Sequence, residues 1–239
     1  VKLPHGYVER RQGSLRVIAR PPELDEMAAL LAGPARSLAQ HSEGQEDGLG
    51  RGATRRFLLP GGGAVYVRKY LRGGMVRHFN RDRYLRRPPR PVRELIVTEQ
   101  ARVAGCSVPA VMAACVEAAG LFYRGWLVTR AIEPALTLFA ALDAAPDRQE
   151  RGAILEAAGV AARSLHSAGV YHPDLTGDNL LVGPGNAVSV IDLDRAFTGR
   201  AGSSRLAERG LARLWRSLEK GGGAMADEER RWLERGYRG

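Results

Sequence analysis

Two apolar, β-rich runs, DNLLV ending at Val182 and AVSVIDL beginning at Ala187, are separated only by GPGN, residues 183–186. A short loop with glycine and asparagine between two such runs supplies the backbone conformations of a tight antiparallel turn, so the stretch reads as a β-hairpin. A hairpin brings its outer ends together. Asp174, Asp178 and Asn179, before it, then meet Asp192 and Asp194, after it. Oxygen donors crowded in this way need a counter-charge, and hard oxygen ligands select Mg2+ or Ca2+ over softer metals. Mg2+ with bound phosphates is the economical expectation.

The flanking sequence has two textures. RRFLLPGGGAVYVRKY reads as strands from Phe57 to Leu59 and from Ala64 to Tyr70 around a Pro/Gly turn. After Pro91, VRELIVTEQARVAG reads as a helix ending at Gly105. Two further strands are expected at Leu121 to Tyr123 and Trp126 to Thr129, broken by Arg124-Gly125. From Ala135 the pattern turns helical, and ERGAILEAAGVAARSLHSAGV carries apolar residues at Ile154, Ala158, Ala161 and Leu165, closed by Gly169. A hinge near Ile132-Glu133-Pro134 would separate a strand-rich lobe over residues 1–132 from a helical lobe over 133–239. Ahead of the first hairpin, Gly48, Gly50 and Gly52 form a loop able to bring backbone N–H groups close to an anion.

Composition narrows the function classes. The most apolar region, VPAVMAACVEAAGLFYRGWLV, is interrupted by Glu117 and Arg124, so no membrane span is expected. The first residues lack the basic-then-apolar order of a secretion signal, which implies a cytoplasmic protein. Cys106 and Cys115 have neither CxxC nor metal-ligand spacing and read as two buried thiols, and the five histidines form no zinc-type pair. A net charge of +10 suggests an anionic partner. Between Arg68 and Arg93 ten basic residues face Asp82 as the one internal carboxylate before Arg93, interleaved with Leu71, Met75, Val76, Phe79, Tyr84 and Leu85. That mixture suits either a solvated basic face or docking on an anionic lipid surface. No nucleic-acid reading module accompanies the charge, so nucleic acid is not expected as a partner.

HPDLTGDN resembles the catalytic loop of the protein-kinase superfamily in its His, Asp and Asn, and IDLD stands where that superfamily carries its metal-binding aspartate. The nearer resemblance is to the bacterial lipopolysaccharide kinases, in particular the 3-deoxy-D-manno-octulosonic acid (Kdo) kinases. It is carried by GRGAT at 50–54, VRKYLRGG with RDRYLRR across 67–87, GVYHPDL with IDLDRAF, and LARLWRSLEK at 211–220. The resemblance implies an α+β, two-lobed protein-kinase-like fold: a strand-rich N-lobe with one helix, then a shortened, mainly helical C-lobe. It implies ATP and Mg2+ as cofactors, Asp174 as catalytic base, and Asn179 and Asp192 as metal ligands, with Asp194 joining them or pairing with Arg195 or Arg200. Glu94 matches the helix glutamate that orients a cation on the nucleotide phosphates, and Gly50 and Gly52 fall in the nucleotide-covering loop. The cation is Arg68 or Lys69, which project to opposite faces of one strand; the motif register favours Arg68. His172 matches a structural histidine.

Departures from the pattern also inform. Pro173 replaces the arginine with which many protein kinases hold a phosphorylated loop, and no APE-like segment follows IDLDRAF. Thr176 replaces the usual catalytic-loop lysine, so transition-state charge must be met by Mg2+ and arginines elsewhere. Gly210 stands where the tail motif suggests asparagine. The resemblance implies phosphorylation of a Kdo hydroxyl on a lipid A precursor, by a peripheral protein on the cytoplasmic face of the inner membrane. Alternatives are an aminoglycoside- or choline-kinase-like phosphotransferase and a catalytically silent kinase-fold binding module. The oligomeric state is not legible.

Overall fold

A computed structural model describes residues 2–33, 35, 53–70, 84–85, 88–120, 122–221 and 227–239. The chain forms two compact units, Val1–Glu99 with Ala110–Ala131, and Gln100–Pro109 with Ile132–Gly239. The glycine loop with Gly50 and Gly52, and the basic residues Arg72, Arg77, Arg81, Arg83, Arg86 and Arg87, lie outside the described residues.

The first unit is built on an antiparallel sheet. Its strands are β1 (Val8–Gln12), β2 (Leu15–Ala19), β3 (Ala53–Leu58), β4 (Ala64–Lys69), β5 (Tyr84–Leu85), β6 (Val111–Ala119) and β7 (Phe122–Arg130), in the order β1-β2-β6-β7-β4-β3 with β5 on β7. Two helices accompany it, α1 (Leu24–Ala32) and α2 (Arg90–Val103). One face of the sheet carries Val17, Val65, Val67, Cys115, Trp126 and Val128 and packs against Met27 and Leu31 of α1. The other face carries Ile18, Tyr70, Val111, Ala114 and Leu127 and packs against Val92 and Leu95 of α2. Each face therefore buries one helix.

Three features of this unit differ from the sequence reading. The β1–β2 hairpin was not foreseen, because all five residues of β1 are exposed and show no buried alternation; its signal is Gly13 at φ 59°, opening a two-residue loop. Helix α1 is a second helix in the strand-rich half. The strands expected around Arg124-Gly125 are one strand, β7. Gly125 is not a break: a Cβ there would come 2.8 Å from Pro91 Cγ, so the glycine lets α2 lie close on the sheet. β6, paired with β2 and β7, is buried at its first seven positions, which is why it reads as a continuous apolar run instead of an alternating one.

The second unit holds β8 (Leu136–Thr137), α3 (Leu138–Ala144), α4 (Arg148–Ser167), β9 (Val170–Tyr171), β10 (Leu180–Val182), β11 (Val188–Val190), β12 (Phe197–Thr198), α5 (Ser204–Gly221) and α6 (Asp227–Arg238). Asp147 caps α4 by accepting the Glu150 N–H at 2.8 Å. Ile154, Leu155, Ala158, Ala162 and Leu165 are the buried stripe of α4. The hairpin read from GPGN is β10–β11, antiparallel with Leu180 opposite Val190 and with Gly185 and Asn186 at φ 65° and 59°. Both cysteines are buried thiols.

His166, near the end of α4, is 2 % exposed. Its ring stacks on Tyr171 at 5.4 Å, and Nδ1 lies 2.9 Å from the Tyr237 hydroxyl. Gly210 closes the other side: a Cβ there would stand 2.7 Å from His166 Nε2, so the asparagine of the tail motif would collide with the ring. Burial lowers the His166 pKa from 6.5 to about 4. The unfolded chain therefore takes up a proton below pH 6.5 that the folded one refuses until about pH 4, and stability falls as pH drops through that window. At pH 5 the expected loss from this residue is about 2 kcal/mol. Urea midpoints at pH 7.5 and 5 check this, and His166→Phe should shrink the difference between them.

Candidate active site

The hairpin sets the geometry of the acidic residues. Continuing the β10–β11 ladder, Ile191 N–H donates to the Asn179 carbonyl at 2.9 Å, which places the segment entering Asp192 against the catalytic-type loop. Asn179 Nδ2 in turn donates to the Asp174 carbonyl at 2.9 Å. With its amide nitrogen so engaged, Asn179 keeps Oδ1 as an acceptor. Asp192 sits at φ 59°, ψ 56°, a left-handed conformation that a non-glycine residue adopts at a cost of roughly 1 kcal/mol. The residues after it form a 3-10 turn over Leu193–Arg195, so the extended geometry assumed for Asp192 and Asp194 does not hold, and spacing of two no longer implies a shared side.

His172 fixes the start of the loop. It is 2 % exposed, and its Nδ1 accepts the Asp174 N–H at 3.1 Å, which requires an unprotonated Nδ1. Burial pushes its pKa below the usual histidine range, against the opposing pull of the Asp192 charge, the Ile191 backbone and Asp174. A neutral, buried histidine holding a backbone amide acts as a positioning residue. Behind the loop, Gly177 N–H donates to Ser217 Oγ on α5 at 3.1 Å. Phe139 of α3 presses on Gly177 so closely that a Cβ there would meet the ring at 2.7 Å.

Asp174 itself faces two cations. Its Oδ2 accepts Arg195 Nη1 at 2.9 Å, and Arg213 Nη2 of α5 stands 3.9 Å from Oδ1. Arg195, one of the two arginines read as alternative partners of Asp194, reaches back to Asp174. Sequence reasoning missed Arg213, Ser217 and Phe139 as neighbours of this loop. The one signal was LARLWRSLEK, whose Leu214, Trp215, Ser217 and Leu218 are the buried face of α5.

In the first unit, Arg68 and Lys69 do lie on opposite faces. Arg68 pairs with Glu94, and the Tyr70 hydroxyl donates to the same carboxylate oxygen. Arg68 also lies 4.9 Å from the centre of the Tyr70 ring. Glu94 is 3 % exposed, so its charge depends on these partners. Lys69 shares the Val65 and Val67 face, with Nζ 5.5 Å from the Trp126 ring centre. Among the described residues, no three His, Cys, Asp or Glu side chains form a metal-type cluster.

The family model of the lipopolysaccharide kinase (Kdo/WaaP) family matches residues 39–237. The chain belongs to that family. A 3-deoxy-D-manno-octulosonic acid kinase of Xanthomonas oryzae pv. oryzae is 36 % identical over 189 residues, 75 % of this chain and 71 % of that protein. One of Xylella fastidiosa is 32 % identical over 174 residues, 72 % and 68 % of the respective chains. The solved structure of WaaP in complex with acyl carrier protein matches with a TM-score of 0.59 at 20 % identity, covering 93 % of this chain and 88 % of that one. The kinase thus has a protein-kinase-like, α+β fold, and it is a lipopolysaccharide kinase: a phosphotransferase whose acceptor is a hydroxyl group. None of its described helices is long and apolar enough to cross a membrane.

Proposed function

We propose that this kinase transfers the γ-phosphoryl group of ATP to a hydroxyl of Kdo on a lipid A precursor. The observation that carries the choice of sugar is its 36 % identity to a Kdo kinase across most of both chains. In this reading Asp174 accepts the proton of the attacking hydroxyl, and Arg195 and Arg213 aim its carboxylate. Asn179 and Asp192, hard oxygen donors brought together by the Ile191–Asn179 bond, would hold Mg2+, and the turn after Asp192 removes the geometric ground for adding Asp194 to them. Bound Mg2+ would supply charge neutralisation on the nucleotide phosphates. By likeness to the family, Arg68, held by Glu94 and Tyr70, would be the cation for the nucleotide phosphates, with Gly50 and Gly52 offering backbone N–H groups to them.

Arg68→Ala should then raise the KM for ATP by roughly 10- to 100-fold, the value of a charge-assisted contact, whereas Lys69→Ala should act mainly on stability through the Trp126 side. Initial rates against ATP and melting curves separate the two. A peripheral position on the cytoplasmic face of the inner membrane fits a lipid-linked acceptor, with the basic residues of 72–93 meeting anionic headgroups, Lys69 being buried and Arg68 held by Glu94. The reading is tested by offering labelled ATP and Mg2+ with a Kdo-bearing lipid A precursor, an aminoglycoside and a generic protein in parallel. Label on the Kdo lipid alone is expected. Label on the aminoglycoside would favour a small-molecule phosphotransferase, and no label at all would reduce the chain to a binding module.

A further inference from the structure

Two arginines on one carboxylate exceed what that carboxylate needs. The side chains of Arg195, Arg213 and Asp174 are 69 %, 36 % and 36 % exposed. Exposed ion pairs of this kind contribute little to stability, so holding the fold together does not account for them. The cluster carries a net positive charge, and each guanidinium has five N–H donors. Asp174 engages one nitrogen of each, and among the described residues the two guanidiniums meet no other acceptor.

Both cations are also fixed in place. Arg195 closes the Leu193–Arg195 turn, in which Ala196 N–H donates to the Leu193 carbonyl at 3.0 Å. Arg213 projects from α5, which is anchored by buried Leu214, Trp215 and Leu218 and tied to the loop by Ser217. Preorganised, partly open guanidiniums beside a proton acceptor form a receptor for an anion, with a planar fork suited to a carboxylate. Thr176, which carries no charge, leaves these arginines as the cations of the loop. Because they flank the group that takes the acceptor's proton, the anion they meet belongs to the acceptor. The relatives' named sugar is an acid, ionised at neutral pH.

We propose that Arg195 and Arg213 bind the carboxylate of an acidic sugar acceptor, so that a negative charge near the attacked hydroxyl is what the site selects. The inference rests on the acidic-sugar reading above. Its test compares the Kdo-bearing lipid A precursor with the same lipid whose Kdo carboxylate has been converted to the carboxamide. The parent kinase should prefer the acid by roughly 10- to 100-fold in kcat/KM, mostly through KM. Arg213→Gln and Arg195→Gln should each cut that preference to less than about threefold, and Arg213→Lys should restore part of it, as a point charge without the fork does. Should Arg213→Gln fail to fold, Arg195→Gln, on the more exposed side chain, carries the comparison.

Equal use of acid and amide by the parent would overturn the inference while leaving the Kdo reading intact. Persistence of the preference in both glutamine variants would also overturn it, placing the discrimination elsewhere. An equal fall in kcat on both lipids would assign the arginines to the transferred phosphoryl group instead. Failure of the parent to phosphorylate either lipid, with another acceptor labelled, would overturn the Kdo reading and the inference together.

Discussion

Asp174→Asn is expected to lower phosphoryl transfer by about 10³-fold, the typical contribution of a positioned base, while nucleotide affinity changes by less than about threefold. The asparagine side chain has nearly the same shape and still accepts Arg195, so the loop held by His172 and Asn179 should persist. What it cannot do is take a proton from the attacking hydroxyl. Removing one negative charge near the phosphates should, if anything, tighten nucleotide binding slightly, because Arg195 and Arg213 are then left uncompensated. Single-turnover rates and nucleotide titration separate the two effects. Unchanged turnover would take Asp174 out of the mechanism.

Gly236→Ala is expected to destabilise the second unit by about 3 kcal/mol, lowering Tm by roughly 6–12 °C. Helix propensity alone predicts the opposite sign, since alanine in a helix interior is favoured over glycine by about 1 kcal/mol. The contact outweighs the propensity. A Cβ at 236 would collide with the Glu156 carbonyl of α4, and one at the facing Gly159 would collide with the Leu233 carbonyl, so the two backbones touch with no room for a methyl group. Because the obstacle is backbone and not a side chain that can swing away, α6 would have to move off α4, loosening the packing of Leu233 and of Trp232 on Gly152. Gly61→Ala is the control: its Cβ would meet nothing within 4 Å, and its effect should stay within about 0.5 kcal/mol. Thermal melts of both variants decide between propensity and contact.

What the sequence made legible was local. The β10–β11 hairpin, α2 and α4 each carry their own periodicity and turn residues, and the pairing of Asn179 with Ile191 follows from the hairpin once its loop is read. Strand alternation likewise separated Arg68 from Lys69 before any contact was known, and the structure sets Arg68 against Glu94. Features that depend on a distant partner were hidden. Gly125 looked like a break because nothing near it in sequence announces Pro91, and Gly210 looked like a lost asparagine because His166 is remote in the chain. Arg213 and Ser217 reach the loop only through the docking of α5, which no local pattern specifies. The exposed β1 shows the converse limit: its pairing comes from backbone bonds to β2, to which its side chains give no pattern.

The account depends most on Asn179 and Asp192 serving one metal ion beside Asp174. A crystal of the kinase grown with Mn2+ and a non-hydrolysable ATP analogue, read by anomalous scattering, addresses this directly. The account predicts a peak within about 2.3 Å of Asn179 Oδ1 and of an Asp192 carboxylate oxygen, touching the nucleotide phosphates. A metal held by other residues, with Asn179 and Asp192 turned away from the nucleotide, would contradict it.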